Sequence, residues 1–144
     1  RFNKIFTFNG VDFYDDYAHH PTEIKSVLEG VKKVFDKFER VCMFKPHRIS
    51  RLKDLKNEWT HCFRDADTII LCPIFTAGEK IKLGFDYNDF AKEIIKNSKV
   101  KLFMIKNNIE LAKFLKQNIY GNKIVIGMGA GSISNWMKKL PELM

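Results

Sequence analysis

Near the start of the chain, ionisable and aromatic side chains stand in a short turn between an apolar segment and a helical pattern. Residues 15–23 read Asp-Asp-Tyr-Ala-His-His-Pro-Thr-Glu. Carboxylates there can accept hydrogen bonds from hydroxyl groups, and imidazoles can exchange protons near neutral pH. A turn that only reverses the chain favours Gly, Asn, Asp or Ser and needs neither tyrosine nor paired histidines. The turn therefore indicates a binding or acid–base site.

A second candidate segment is basic. His47, Arg48 and Arg51 follow the strand-like residues 40–44 and precede an apolar pattern at helical spacing. Exposed N–H groups and the positive end of a helix dipole favour anions at such a position. An arginine there can bind a carboxylate or a phosphate through two parallel hydrogen bonds. The alternative is that Arg48 and Arg51 pair with acidic groups on the surface.

A third candidate is the glycine-rich segment Gly127-Met128-Gly129-Ala130-Gly131-Ser132, which follows the apolar residues 123–126. It nearly matches the dinucleotide-binding pattern, but serine replaces the last glycine and no acidic residue follows about 20 positions later. Its backbone N–H groups could bind a carboxylate or a phosphate, or its glycines could allow the last helix to pack tightly on the sheet. Both interpretations are open on the sequence.

The spacing of the remaining reactive residues disfavours several kinds of site. His19 and His20 are adjacent, and neighbours rarely bind one ion together, so we predict no metal site. No G-x-S-x-G pattern occurs and no cysteine has a histidine partner in a loop, so we assign no catalytic residue. Without a G-x-x-x-x-G-K-[ST] loop, the phosphates of any bound ATP must be held elsewhere. The three separated cysteines are predicted to be reduced, buried thiols.

Strand and helix patterns alternate along the chain. Asn9-Gly10 between residues 5–8 and 11–14 predicts a β-hairpin. The later elements are a helix over about 22–38, a strand over 40–44, a helix through Leu52, Leu55, Trp59 and Phe63, a strand over 67–73, a helix over 87–97 capped by Asp86, a strand over 100–105, a helix capped by Asn107 or Asn108, a strand over 123–126 and a short helix ending before Pro141. This order predicts a three-layer α/β fold: a mostly parallel sheet of about six strands with one antiparallel strand and helices on both faces.

Four segments with unusual residues lie at the ends of predicted strands: 15–22, 46–51, 75–79 and 127–132. The carboxyl ends of parallel strands share one edge of a sheet, and ligands bind there in open α/β folds. Residues distant in sequence are therefore expected to meet at one rim.

Composition places the chain among globular proteins. It has 144 residues, of which 45% are hydrophobic. The sequence contains no run of about 18 apolar residues, so we predict no membrane partner. The net charge of +8 comes from scattered lysines, which favours a solvated surface over a nucleic-acid partner. Because the chain lacks an initiator methionine and begins almost directly in a strand-like pattern, we expect it to belong to a longer protein. Its separated, reduced cysteines suit a cytoplasmic location.

The combined motifs resemble the C-terminal domain of the Mur ligases along essentially the whole chain. They are residues 15–23, the run Phe-Lys-Pro-His-Arg at 44–48 followed by Ser50 and Arg51, Ala-Gly-Glu at 77–79 and Gly-Ala-Gly at 129–131. The resemblance implies that residues 1–144 form one Rossmann-like domain of a three-domain enzyme. The N-terminal UDP-sugar domain and the central ATPase domain would lie outside this chain.

Within the family, the best match is to ligases that join L-alanine to UDP-N-acetylmuramate in peptidoglycan synthesis. The resemblance implies that ATP phosphorylates the muramoyl carboxylate and that the amine of L-alanine attacks the acyl phosphate. It implies ATP and Mg²⁺ as cofactors of the full enzyme, held mainly by the central domain, with none integral to this domain. The implied partners are UDP-N-acetylmuramate, L-alanine, ATP and the other two domains.

The resemblance also implies roles for individual residues. L-Alanine would be surrounded by Tyr17, His19, His47, Arg48 and Arg51. The nucleotide would contact Asp16, at the ribose hydroxyls, and His20. The rim of the site would include Asp15, Ala77, Gly78, Glu79, Gly129, Ala130 and Gly131, without assigned roles.

Two alternatives from other classes stay open. The glycine-rich segment and the positive charge would also suit a stand-alone nucleotide- or anion-binding module without ligase activity. A nucleic-acid-binding protein would show steeply salt-dependent association with DNA or RNA.

Overall fold

The computed structural model describes residues 2–75, 78, 85–129 and 132–144. Its strands are β1 (Asn3–Phe8), β2 (Val11–Asp16), β3 (Glu39–Lys45), β4 (Thr68–Leu71), β5 (Lys101–Met104) and β6 (Lys123–Gly129). They form a six-stranded sheet in the order β1-β2-β6-β3-β4-β5. β1 pairs antiparallel with β2, and the other neighbouring pairs are parallel. The predicted sheet is confirmed.

Helices cover both faces of the sheet, as predicted. They are α1 (Pro21–Val34), α2 (Ile49–Asp54), α3 (Lys56–His61), α4 (Tyr87–Ser98), α5 (Asn108–Asn118) and α6 (Ser132–Leu143). Apolar side chains of α1 to α4 pack with Cys42 and Phe44 of β3 on one face. Those of α5 and α6 pack with Val41 and Met43 on the other. This alternation along β3 gives the sheet an apolar core on each side.

Local signals placed three features correctly. Asn9 and Gly10 both have positive φ values, 52° and 75°, which suit the tight turn of the β1–β2 hairpin. The Asp86 carboxylate caps α4 by accepting from the N–H groups two and three residues later. The amide oxygen of Asn107 caps α5 by accepting from the backbone N–H of Glu110 at 2.8 Å.

The first helix was predicted to continue to Phe38, but it ends at Val34. The cause is Arg40 of β3. Its guanidinium group donates to the carbonyl oxygens of Phe35, Asp36 and Phe38 at 3.2–3.5 Å. These carbonyl oxygens therefore accept from a side chain of the sheet, and they do not accept from the backbone N–H groups four residues later, as they would in a further α-helical turn.

The predicted helix through Leu52 and Phe63 is interrupted at Leu55, which has a φ of −121° and separates α2 from α3. The carbonyl oxygen of Arg51 accepts from the indole N–H of Trp59 at 3.1 Å and from the backbone N–H of Leu55 at 3.4 Å. The hydrogen bond from the buried side chain of Trp59 thus occupies a backbone carbonyl group of α2 where the helix axis changes direction. The break places α2 along the edge of the rim.

The end of the chain differs from expectation in two ways. β6 was predicted to end at Ile126, but it continues through Gly129 because β2 and β3 pair with it over this length. Gly127 lies under α6, where an added β-carbon would be 3.0 Å from Sδ of Met137. The final helix was predicted to end before Pro141 but includes it. The turn beyond the proline is held because Met144 packs on the apolar core and its N–H donates to the carbonyl oxygen of Leu140 at 2.9 Å.

The three cysteines agree with expectation. Cys42, Cys62 and Cys72 are buried free thiols, as predicted. Burial raises the pKa of Cys72 to about 12 and raises that of Cys42 well above its ordinary value. Within the described part of the chain, no helix is long and apolar enough to cross a membrane.

Tyr87 should make the stability of the fold sensitive to alkaline pH. Its hydroxyl donates to the carbonyl oxygen of Cys72 at 2.5 Å, and burial raises its pKa well above 10.0. Because the folded chain holds this proton more tightly than the unfolded chain, the contribution is complete below about pH 10 and is lost as the pH rises further. Tyr87→Phe should cost about 1 kcal/mol at pH 7 and make the alkaline loss shallower in urea unfolding.

The control for this prediction is Tyr120→Phe, because Tyr120 is 64% exposed. It should change neither the stability at pH 7 nor the alkaline slope. An equal alkaline slope in wild type and Tyr87→Phe would contradict the assignment of the slope to Tyr87.

Candidate functional site

The two aspartates at the end of β2 are buried and have different neighbours. Oδ1 of Asp16 accepts from the backbone N–H of Ala18 at 2.9 Å, which shapes the turn. Oδ2 of Asp15 accepts from the hydroxyl of Ser134 at 3.0 Å and so connects β2 with α6. Since successive side chains of a strand point to opposite faces, Asp16 belongs to the α1 face and Asp15 to the α6 face.

The start of α1 is held by reciprocal hydrogen bonds. His20 is the N-cap, and its Nδ1 accepts from the backbone N–H of Thr22 at 3.3 Å. Oε1 of Glu23 accepts in return from the backbone N–H of His20 at 3.1 Å. In the neutral ring of His20 the proton therefore lies on Nε2, which is a donor.

The neighbouring histidine has the opposite tautomer. Nδ1 of His19 lies 2.9 Å from the carbonyl oxygen of Tyr17, which can only accept a hydrogen bond. Nδ1 therefore carries the proton of the neutral ring, and Nε2 is an acceptor. The adjacent rings thus offer one donor and one acceptor, and both side chains are exposed.

The basic loop after β3 has an unusual backbone. Arg48 has a φ of 68° and a ψ of 130°, values that side chains with a β-carbon rarely adopt. Its N–H donates to the carbonyl oxygen of Phe75 at 2.8 Å, and the N–H of Phe75 donates to Pro46 at 2.8 Å. The ring of His47 packs on that of Phe75, with centroids 5.2 Å apart. The segment that follows β4 thus holds the strained loop in place.

Lys45, the last residue of β3, connects three parts of the rim. It is buried, and its Nζ donates to the carbonyl oxygen of Pro73 at 3.0 Å beyond the end of β4. The same ammonium group lies 4.2 Å from the ring centroid of Trp136 in α6. Burial lowers the pKa of Lys45 below its usual value. The group keeps the ends of β3 and β4 together beneath the loops.

The carboxyl ends of β2, β6, β3 and β4 lie side by side, as the predicted convergence requires. The N–H of Gly129 donates to the carbonyl oxygen of Ala18 at 3.0 Å, joining β6 to the histidine turn. A cavity of about 300 Å³ lies between that turn and α2 and is lined by His19, His20, Arg51, Asp54, Leu55 and Trp59. We call it the small cleft.

A larger cavity of about 610 Å³ adjoins the same turn on the side of α1. Its lining includes Asp16, Tyr17, His19 and Glu23. Ligand pockets commonly range from about 300 to about 1,000 Å³. The rim therefore offers one space for a small solute and one for a larger ligand.

Comparison with known proteins identifies the family. The model of the family described as "Mur ligase, glutamate ligase domain" matches residues 1–131. The chain belongs to the Mur ligase family. Its sequence is 65% identical over 144 residues to the UDP-N-acetylmuramate–L-alanine ligase of Pelagibacter ubique strain HTCC1062, covering 100% of this chain and 31% of that relative. It thus spans less than a third of the length of that protein.

Two other proteins agree with the assignment. The UDP-N-acetylmuramate–L-alanine ligase of Bartonella bacilliformis is 34% identical over 142 residues, covering 99% of this chain and 30% of the relative. The crystal structure of a UDP-N-acetylmuramate–alanine ligase from Thermotoga maritima superimposes with a TM-score of 0.72 at 22% identity, over 96% of this chain and 28% of that one. The structural likeness establishes the Mur ligase domain fold.

In this Mur ligase domain the predicted site residues occupy different surroundings. The side chains at the solvent face of the rim are Tyr17, His19, His20, Arg48 and Arg51. His47 is half-buried against Phe75, and Asp16 is buried at the wall of the larger cavity. Gly78 is exposed with a φ of 85°.

Two predicted rim residues contribute to packing. Asp15 bonds Ser134 of α6, and Gly129 lies in β6 against the backbone of Lys45. Of the two interpretations of the glycine-rich segment, packing of the last helix on the sheet accounts for Gly127, whereas Gly129 allows a close approach to the backbone of β3. The other predicted rim residues lie outside the described residues: Ala77, Glu79, Ala130 and Gly131.

Sequence reasoning missed three residues at this rim: Lys45, Asp54 and Trp136. Lys45 ends an apolar strand, and nothing in the sequence indicates that its ammonium group is buried. Trp136 follows the apolar spacing of α6, and that spacing by itself indicates packing and not a contact with Lys45. Asp54 had a readable signal, because it stands three residues after Arg51 on a helix and shares its face.

The residues fit a nucleotide better than a metal ion. Asp16 offers carboxylate oxygens, which can accept from ribose hydroxyls, beside a cavity of suitable size. Among the described residues, no group of three His, Cys, Asp or Glu side chains could hold a metal ion.

Proposed function

We propose that residues 1–144 are the C-terminal domain of an ATP-dependent ligase that joins L-alanine to UDP-N-acetylmuramate in peptidoglycan synthesis. The observation that carries the proposal is the meeting of the histidine turn with the basic loop at one rim. There the guanidinium groups of Arg48 and Arg51 form no ion pair with any described residue. The 65% identity to a relative with that name supports the same reaction.

In the proposed reaction, the terminal phosphoryl group of ATP passes to the muramoyl carboxylate, which leaves ADP and an acyl phosphate. The amine of L-alanine then attacks the acyl carbon, and inorganic phosphate leaves as the amide forms. The ATP phosphates and Mg²⁺ would be held mainly by a central domain and the UDP-sugar by an N-terminal domain. Because the two domains that would hold these ligands lie outside this chain, we expect the isolated domain to be inactive. We place the reaction in the cytoplasm.

The contribution of this domain would be orientation. Arg48 and Arg51 would hold the carboxylate of L-alanine, with Tyr17 and His19 beside it. Such placement presents the amine to an acyl phosphate formed by another domain. Closure of the rim over the site would also exclude water, which would hydrolyse that intermediate.

The nucleotide would share the rim with the amino acid. Asp16 would accept from the ribose hydroxyls, and His20 would lie nearby with its Nε2 proton available as a donor. His47 would hold the shape of the basic loop through its contact with Phe75.

The test is ADP release by the full-length protein that contains this chain. We expect release to require UDP-N-acetylmuramate and L-alanine together. ADP release that does not depend on L-alanine would contradict the proposal.

The stand-alone binding module predicts a different result. Calorimetry on this 144-residue chain would then detect submicromolar binding of ATP or a dinucleotide. The ligase proposal predicts no such binding, because the phosphate-holding loop is expected in another domain.

A further inference from the structure

We propose that Asp54 holds the α-ammonium group of the amino acid substrate in the small cleft, opposite the carboxylate held by the arginines. The inference rests on the proposed function, since it assigns a new residue to the same site. Neither the sequence motifs nor the family resemblance assigned a role to Asp54.

The size of the small cleft suits an amino acid. At about 300 Å³ it is at the lower limit of the usual range of ligand pockets. The cavity beside Asp16 has about twice that volume and suits a nucleoside better. The two cavities share His19, so an amino acid and a nucleotide could bind as neighbours on either side of the histidine turn.

The chemistry of the cleft matches the three parts of a free α-amino acid. Arg51 and Asp54 are spaced i and i+3 on one face of α2, and Leu55, the C-cap of that helix, lines the cleft beside them. They supply a cation, an anion and an apolar surface. Together these could contact the carboxylate, the ammonium group and the methyl group of L-alanine.

Asp54 has no ion-pair partner in the described part of the chain, as is also true of Asp36, but only Asp54 stands in the small cleft beside an arginine. Asp12 pairs with Lys4 at 3.3 Å, and Asp65 pairs with Lys32 at 3.5 Å. Asp54 forms no such pair even with Arg51, one helical turn away, and the arginine is equally unpaired. Both charges are therefore available to a ligand.

His19 adds an acceptor to the ammonium end of the cleft. An ammonium group has three N–H donors, and Asp54 together with Nε2 of neutral His19 supplies acceptors. A carboxylate needs donors, which the guanidinium group of Arg51 supplies. The tautomer that follows from the bond between Nδ1 of His19 and the carbonyl oxygen of Tyr17 thus suits the ammonium group of the substrate.

The test is Asp54→Asn in the full-length enzyme, compared on two ligands that differ only at the amino group. The KM for L-alanine should rise about ten- to hundredfold, as expected for loss of a hydrogen bond to a charged group. L-Lactate, which carries a hydroxyl in place of the ammonium group, should inhibit wild type and variant equally as a competitor of L-alanine. The KM values for ATP and UDP-N-acetylmuramate should not change.

The matched control is Asp36→Asn. Asp36 is exposed and lies between α1 and β3, at the amino ends of the strands, on the edge of the sheet opposite the rim. The KM of the Asp36→Asn enzyme for L-alanine should equal that of wild type. Equal melting temperatures of both variants and wild type would show that folding is intact.

The outcomes separate this inference from the proposed function. An unchanged KM for L-alanine in Asp54→Asn, or an equal weakening of L-alanine and L-lactate, would overturn the role of Asp54 and leave the ligase assignment intact. A wild-type enzyme without L-alanine-dependent ADP release would instead overturn the ligase assignment.

Discussion

Replacing Gly129 with alanine should destabilise the chain by about 4 kcal/mol and lower its melting temperature by about 10 °C or more. An added β-carbon would overlap the carbonyl oxygen of Lys45 and lie 3.1 Å from its carbonyl carbon. Both atoms belong to the backbone of β3, which pairs with β6 at this position, so no side-chain rotation can relieve the overlap. The φ of +133° adds strain for any residue with a β-carbon.

Substitutions of two other glycines distinguish the effect of the steric overlap from the effect of the backbone strain. Gly121 has a φ of +81° but nothing within 4 Å of an added β-carbon, so Gly121→Ala should cost only about 1 kcal/mol. Gly30 lies inside α1 with similar free space, and Gly30→Ala should stabilise the chain by about 0.5–1 kcal/mol. The measurement is urea unfolding followed by circular dichroism. A cost for Gly129→Ala no greater than that for Gly121→Ala would refute the overlap.

Loss of the Arg48 side chain should have the largest effect on activity. In the full-length enzyme, Arg48→Ala should raise the KM for L-alanine about 100-fold, because a charge-assisted grip on the carboxylate disappears. The KM for UDP-N-acetylmuramate should change far less. Arg48→Lys should fall between wild type and alanine, since lysine keeps the charge but cannot form two parallel bonds.

The backbone of Arg48 allows its effect on stability to be measured apart from its effect on binding. Glycine adopts a φ near 68° without strain, so Arg48→Gly should be more stable than Arg48→Ala by about 1 kcal/mol. Both variants should lose affinity for L-alanine equally. If Arg48→Gly retained the wild-type KM, the guanidinium group would have no role in binding the amino acid.

Features encoded by neighbouring residues were predictable. The hairpin at Asn9-Gly10 and the caps at Asp86 and Asn107 each depend on side chains and dihedral angles within a few residues. The alternation of strand and helix patterns then led to the correct sheet. The motifs likewise indicated the Mur ligase family, which the match to residues 1–131 confirms.

Features set by distant residues were not predictable. α1 ends early because Arg40, in another element, binds the carbonyl groups that follow it. β6 extends through Gly129 because strands on both sides pair with it. In each case a bond between separate elements overrides the local preference, and no pattern within one segment contains that information.

The same division holds for the candidate site. By itself, the sequence determined which chemical groups stand at the ends of the strands: carboxylates and imidazoles after β2 and guanidinium groups after β3. Only the tertiary structure decided which of them share a cavity, which proton each histidine carries and that Asp54 lies with Arg51 beside the histidine turn. The physical reason is that residue types and spacing act locally, whereas partners and burial depend on how separate elements pack.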